Sequence, residues 1–536
     1  MKNLYPKKII KIFGDVTNAD NLLVEKETQI GISERETTEM KGASAIILDF
    51  GKEIAGGIRI LTYNADNNKK VRIRFGESVS ETCSEIGCFN STNDHSTRDM
   101  TVELQSYSDM PFGNTGFRFI RIDAYGAAEI RVKSVIAALS VFEEPFCGSF
   151  ECDDEKINEI WNTAAYTMRL CVQNGYLWDG IKRDRLVWIG DIHPEMMSCL
   201  CLFGDIPNIK ASLDFVKKQT PLPGWMNNIP TYSLWWIIIL ADYYRYSGNL
   251  KYLSEQKEYF CGLLKQIDLC VKEDGIIDFQ YNFVDWPTHF EGADGDLNKK
   301  NDELAGVNAL TRIAILKASY ISSVINCDGK ICDGILSKLG KNMMTIKKFK
   351  QTAALSVLAG DLSENNKQIL LSGGAEGMSC FMNLYILTAL SKYGFQREAL
   401  GMIKEYYGGM LSLGATTFWE DFDIKWLNSA GRIDEYPCGG KIDVHKTYGK
   451  FCYTGYRHSL CHGWSSGVIP YLVNSVLGVR FEDGCKTVYI KPNMCGLKRV
   501  KGSFPTPYGV IDIEHTLCGG EIKTVVNAPK EIKIIE

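Results

Sequence analysis

The sequence predicts a multidomain chain in which a long helical middle is flanked by a β region on each side. Three observations carry this reading. Runs of period-2 alternation fill residues 1–148, the apolar period turns helical at Asp153, and alternation returns after about residue 475. A chain of 536 residues also exceeds what one core supports, so about three domains are expected.

In the first region Val71, Ile73 and Phe75 alternate with Arg72 and Arg74. The runs SAIILDFG, GGIRILTY, FRFIRIDAYG and EIRVKSV repeat that pattern between turn residues. Residues 1–148 therefore read as an antiparallel β-sandwich. From Asp153 onward Ile157, Ile160, Trp161, Ala164, Met168, Cys171 and Val172 follow helical spacing, with Asp153 and Asp154 placed to cap the start. Further helices are expected in SLWWIIILADYYRYSG, AGVNALTRIAILKASYISSVI, MNLYILTALSKYG and REALGMIKEYYGGML. Loops rich in Gly, Pro, Asp and Trp separate them, so residues 149–475 read as a helical barrel or toroid with functional loops at one end. The alternation in KTVYIKP, GVIDIEH and KEIKIIE marks residues 476–536 as a small C-terminal β-sandwich.

Composition narrows the function classes. With a net charge of −5 and no basic stripe, the chain has no surface for a nucleic-acid backbone. The most apolar run, LWWIIILADYYRY, is too short to span a bilayer, so no membrane partner is expected. The opening MKNLYPKKIIKIFGD lacks the apolar core and cleavage site of a signal peptide. A cytoplasmic location follows, with a processed exported form as the alternative. The 18 cysteines are scattered, as reduced thiols on apolar faces would be. His458 and His462 stand four apart, a spacing that seats a metal on a helix, but no acidic partner follows at ligand spacing. Neither a metal nor another cofactor is expected.

The segment most loaded with chemistry is WDGIKRDRLVWIGD, residues 178–191. It holds Asp179, Asp184 and Asp191, the cations Lys182, Arg183 and Arg185, and the flat apolar faces of Trp178 and Trp188. A loop of this kind suits acid/base work on a neutral, hydroxyl-rich substrate; the plainer reading is a surface ion-pair network. Three other segments join an acid or imidazole to tryptophan. GATTFWEDFD presents Glu420 after Trp419, NFVDWPTH places Asp285 before Trp286, and RHSLCHGWSSG brings His458, His462 and Trp464 to a glycine turn. All ten tryptophans fall in the helical middle, and Trp178, Trp188, Trp286 and Trp419 read as ligand-facing. Asp191 has a duller alternative as a helix cap, and His462 as a satisfied core histidine. Arg183 reads as a carboxylate-orienting residue, since a neutral sugar needs no counter-charge.

These segments together resemble the α-L-rhamnosidases of glycoside hydrolase family 78. Asp179, Asp184 and Asp191 fall on the first, sixth and thirteenth positions of that family's loop DCPxREKxGWxGD. The likeness continues through IPTYSLWW, FVDWPT, GATTFWE, HGWSSG and KGSFPTPYGVIDI, and in the N-terminal ILDFGKEIAGGIRI and GFRFIRI. The resemblance implies an (α/α)6 catalytic barrel between β-sandwich domains. It also implies inverting exo-hydrolysis of terminal α-L-rhamnose from a rhamnose-containing oligosaccharide or glycoside. By position Glu420 is the implied general base and Asp184 the general acid, while Asp179 and Asp191 hold sugar hydroxyls and tune the acid. The remaining sugar-binding set is Arg183, Trp188, Asp285, Trp286, Trp419, His462 and Trp464. The family's acid is Glu where this chain has Asp184, and DCPxRE has become DGIKRD; Glu195 and Asp285 are the reserve acids. A glycosidase acting on another sugar, and a silent sugar-binding protein, are the alternatives.

Overall fold

The computed structural model describes residues 3–535 apart from 34, 66–69, 127–128, 278, 292–294, 341–343, 437–439 and 452. Its N-terminal region is β-rich, its middle helical and its C-terminal region β. Where a two-sheet sandwich was expected at the start of the chain, the seven strands there are hydrogen-bonded into one sheet. The reason is the strand Thr38–Ala65, 28 residues long, which absorbs both SAIILDFG and GGIRILTY. It bends at Gly51 and Gly56, whose φ values of 80° and 141° suit glycine, and its register slips there. Val132 consequently pairs with Thr38 at one end of this strand and with Thr62 at the other. Inside the curl, Ile46, Leu48, Phe50, Ile58, Ile73, Phe75, Phe117 and Ile120 form a separate apolar core.

The helical middle begins as its spacing predicts. The helix Glu155–Cys171 is capped by the Asp154 carboxylate, which accepts from the Lys156 and Ile157 amides, and it buries Ile157, Ile160, Trp161, Ala164 and Met168. Asp153 instead accepts from the amides of Lys498 and Arg499. Val172 lies one residue beyond the helix, in a two-residue strand. Helices Pro230–Ser247, Leu297–Val324, Asn383–Lys392 and Gln396–Ser412 occupy the other helical runs. Pro230–Ser247 is apolar on nearly every face because it runs through the centre, packed between Ile189–Leu202 and Leu297–Val324. No helix among the described residues is long and apolar enough to cross a membrane.

The C-terminal strands form two sheets, of three and four strands. One strand of the larger sheet is Ser149–Cys152, paired with Arg499–Thr506, so the residues that open the helical region belong by hydrogen bonding to the far end of the chain. Phe150 and Cys152 point inward there and Ser149 and Glu151 outward.

Candidate active site

The residues 178–191 form a closed loop because Asp179 and Leu186 pair with each other. The Asp179 amide donates to the Leu186 carbonyl at 3.1 Å, and the Leu186 amide donates to the Asp179 carboxylate at 2.8 Å. At its tip Asp184 and Arg185 have φ values of 56° and 54°. Asp is among the few non-glycine residues that accept this left-handed backbone readily, which suits the shorter acid to this turn. The loop leads into the helix Ile189–Leu202, whose N-cap position is Trp188, so Asp191 lies in the first turn instead of capping it. Gly190 is required by packing: a Cβ there would stand 2.5 Å from the Tyr232 ring.

The loop faces a second one, residues 457–464. Gly180 and His462 form an antiparallel bridge, and the Gly463 amide donates to the Asp179 carbonyl at 2.7 Å. Gly463 admits no side chain either, because its Cβ would meet the Glu195 carboxyl at 2.1 Å. Between the loops opens a cavity of about 280 Å³. Asp179, Arg183, Asp184, Trp188, Asp191, Trp286, Glu420, His462 and Trp464 line it, all of them site residues expected from the sequence. Ile229, Tyr232, Tyr281, Phe283 and Arg457 complete the wall. Tyr232 and Phe283 lie in IPTYSLWW and FVDWPT, whose acids and tryptophans drew the reading; Arg457 begins RHSLCHGWSSG, where the histidines overshadowed it.

Arg183 organises the cavity. One guanidinium nitrogen donates to Asp184 at 2.7 Å, and the other donates to both oxygens of Glu420 at 2.5 and 2.6 Å. One planar guanidinium thus holds both carboxylates, with Nη1 on Asp184 and Nη2 on Glu420, and fixes how they face each other. Glu420 also accepts from the Ser459 amide at 3.1 Å, and its own amide donates to the Ser459 carbonyl at 2.9 Å. Arg457 stands 3.7 Å from Asp184, whose side chain keeps about 30% of its surface open to solvent, against 6% for Glu420. Arg185 turns the other way. It donates to the carbonyls of Ile181 and Asn114 and lies over Trp178, which lines a separate surface hollow.

Burial sets the other carboxyls apart. It pushes Asp179 well above the ordinary carboxylate range, with Asp184 adding repulsion, and Asp191 likewise, with Asp179 and Glu420 adding theirs. Glu195 is raised by burial and by Asp191, and neither of its oxygens has a hydrogen-bond partner among the described residues. It lies behind the wall at Gly463 and outside the cavity lining. His462, 3.7 Å from Glu420 and 3.9 Å from Asp191, is held well below its usual range by burial and by Arg183, both of which favour the neutral ring. His458 does not share a helix face with it: it follows a short 3-10 turn, and its Nε2 accepts from the Asp421 amide.

Two expected sugar contacts lie outside the lining. Asp285 turns back to cap the Trp286–Thr288 turn, accepting from the Trp286 amide at 2.9 Å and from the Ser379 hydroxyl, and burial raises its carboxyl to about 7. Trp419 is fully buried, edge-on to Phe422 and His458, because Glu420 next to it takes the cavity side.

Comparison with known proteins agrees with this architecture. Three models of bacterial α-L-rhamnosidase domains match: the concanavalin-like domain over residues 39–141, the 6 hairpin glycosidase domain over 145–326 and the C-terminal domain over 478–534. A curated α-L-rhamnosidase from Alteromonas sp. (strain LOR) is 22% identical over 533 residues, covering 91% of this chain and 55% of its own. The GH78 rhamnosidase of Bacillus sp. GL1 superposes with a TM-score of 0.75 at 19% identity, covering 96% of this chain and 55% of that one. The rhamnosidase of Klebsiella oxytoca, solved with rhamnose bound, does so at 0.66 and 16%, covering 88% of this chain and 95% of its own. At these identities the superpositions speak for the fold alone, and the chain spans about half the length of the curated relative. With all three domain models matched in order along it, the chain belongs to the bacterial α-L-rhamnosidase family.

Proposed function

We propose that this chain is an inverting exo-acting α-L-rhamnosidase, built on an (α/α)6 barrel at residues 149–475 with β domains at 1–148 and 476–536. The observation that carries it is the meeting of Asp184 and Glu420 on one cavity, bridged by the single guanidinium of Arg183. The cavity of about 280 Å³ is just below the roughly 300–1,000 Å³ of ordinary small-molecule sites, which suits one terminal sugar ring. Trp188, Trp286 and Trp464 supply faces for that ring, and Asp191, Asp179 and His462 supply polar partners for its hydroxyls.

In this reading Glu420 is the base. Held by Arg183 and oriented by the Ser459 amide, it takes a proton from the water that attacks the anomeric carbon. Asp184 gives its proton to the leaving glycosidic oxygen from the open side of the cavity. To do so it must turn from Arg183 toward the glycosidic oxygen. One observation favours a second assignment of the acid: Asp179 lines the same cavity, is held by an amide where Asp184 is held by a guanidinium, and favours its protonated form through burial.

The deciding experiment is proton NMR of the first anomer released from an aryl α-L-rhamnoside. A β-anomer released first supports inversion, and an initial α product excludes it. A panel of aryl glycosides of L-rhamnose, L-fucose, L-arabinose and glucuronic acid tests the sugar. No turnover on any of them, with binding seen by calorimetry, would make the chain a silent sugar-binding protein.

A further inference from the structure

We propose that Glu77, contributed by the N-terminal β region, is a positioning residue that clamps both loops holding the acid and base of the proposed glycosidase. The inference rests on that functional reading for its catalytic consequence and on the contacts below for the clamp itself. Glu77 is fully buried, just beyond the strand Lys70–Gly76. One of its oxygens accepts from the Leu460 amide at 2.6 Å and stands 3.0 Å from the Lys182 ammonium; the other accepts from the Ser459 hydroxyl at 3.4 Å. Lys182 directly precedes Arg183, which grips Glu420 and Asp184. Ser459 is the residue whose amide holds Glu420. A single carboxylate is therefore one residue away from each support of the reacting pair, in two loops far apart in sequence.

The surroundings show that this contact is built rather than incidental. Lys182 also donates to the carbonyls of Tyr456 and His458, at 2.9 and 2.5 Å, and lies 3.3 Å from Glu81. Glu81, in turn, accepts from the Glu77 amide at 2.8 Å. His445 closes the cluster, with its Nε2 donating to the His458 carbonyl at 2.9 Å and its Nδ1 accepting from the Ser78 hydroxyl at 2.7 Å. Glu77, Glu81 and His445 come close enough to resemble a metal site, but the Lys182 ammonium lies 3.0, 3.3 and 3.4 Å from them. The cation of this site is a side chain of the loop being positioned. A β domain that only braced the barrel would have no reason to send a buried carboxylate to these two loops.

The test uses the full chain. Glu77→Gln keeps the shape and one acceptor but removes the charge. It is expected to lower kcat on an aryl α-L-rhamnoside by about a hundredfold, the scale of an ångström's misplacement, with KM nearly unchanged. Hydrogen exchange should quicken in residues 180–187 and 457–462 while the helix Glu155–Cys171 stays protected. Because Glu77→Gln leaves the buried Lys182 with Glu81 as its remaining carboxylate partner among the described residues and can destabilise the fold, the double variant Glu77→Gln/Lys182→Met removes both charges. Positioning predicts that its melting temperature recovers and its kcat does not; recovery of both would reduce the pair to a structural role and overturn the proposal. Wild-type kcat in a folded Glu77→Gln protein, or unchanged exchange in both loops, would overturn it equally. Should the wild-type chain turn over no rhamnoside, the functional reading fails on its own, and the exchange measurement still decides whether Glu77 clamps the loops.

Discussion

Two sets of carboxyls around the cavity carry the same chemical group in opposite electrostatic settings. Asp184 and Glu420 share the guanidinium of Arg183, while Asp179, Asp191 and Glu195 sit deeper, where burial and mutual repulsion favour the protonated form. A glycosidase needs both conditions within a few ångströms, an ionised base and a carboxyl able to keep a proton. The comparison teaches that burial does most of the sorting, since it is what chiefly raises Asp179, Asp191 and Glu195, while Arg183 works against that rise at Asp179. Arg183 turns inward and bridges the first set, Arg185, two residues on, turns outward, and burial with neighbouring carboxylates raises the second set.

The sharpest way to break this contrast is to replace the carboxylate of Glu420. Glu420→Gln is expected to lower kcat by roughly 10²–10⁴-fold in steady-state assays with KM little changed, because the variant can still bind sugar but cannot take the proton. Near-normal turnover would remove Glu420 from the role of base. Arg183→Lys keeps a positive charge and loses the planar bridge between the two acids, so kcat should fall by about tenfold or more. Activity equal to wild type would mean that charge alone suffices.

The acid assignment divides the two sets directly. If Asp184 donates the proton, Asp184→Asn slows a poor leaving group by about a hundredfold and a nitrophenyl rhamnoside much less, while Asp179→Asn slows both alike. The reverse pattern would move the acid to Asp179. A further effect is on stability. Glu195 has a folded-state affinity for its proton well above that of the unfolded chain. Below about pH 4.3 it is protonated in both states and Glu195→Gln should melt with wild type. Above that pH the unfolded chain releases a proton that the folded one keeps, so wild-type stability falls by up to about 1.4 kcal/mol per pH unit and the variant gains by comparison. Melting curves that run parallel from pH 4 to 7 would show that Glu195 is not raised.

Much of the site was legible because its residues come in compact mixed segments, and what stayed hidden follows from one property of chains. Neighbouring residues in extended or turning backbone point in different directions. At Asp285 and Trp286 the tryptophan reaches the cavity and the acid turns back to cap; at Trp419 and Glu420 the acid reaches it and the tryptophan fills the core. The sequence names each pair without naming the member that faces in. Tyr281 and Arg457 carried no signal of their own, since an isolated tyrosine or arginine is common on any surface.

At the level of the fold, local periodicity was enough for the β–helix–β order, because alternation and helical spacing are properties of consecutive residues. It determined the Asp154-capped helix Glu155–Cys171 and placed the three acids of the 178–191 loop within reach of one another. Only tertiary structure decided that Thr38–Ala65 bends through the whole N-terminal sheet, that Ser149–Cys152 pairs with the chain's other end, and that Glu77 reaches Lys182 and Leu460. Those contacts join residues tens to hundreds of positions apart. Their free energy comes from burying and pairing groups that no local window of sequence contains together.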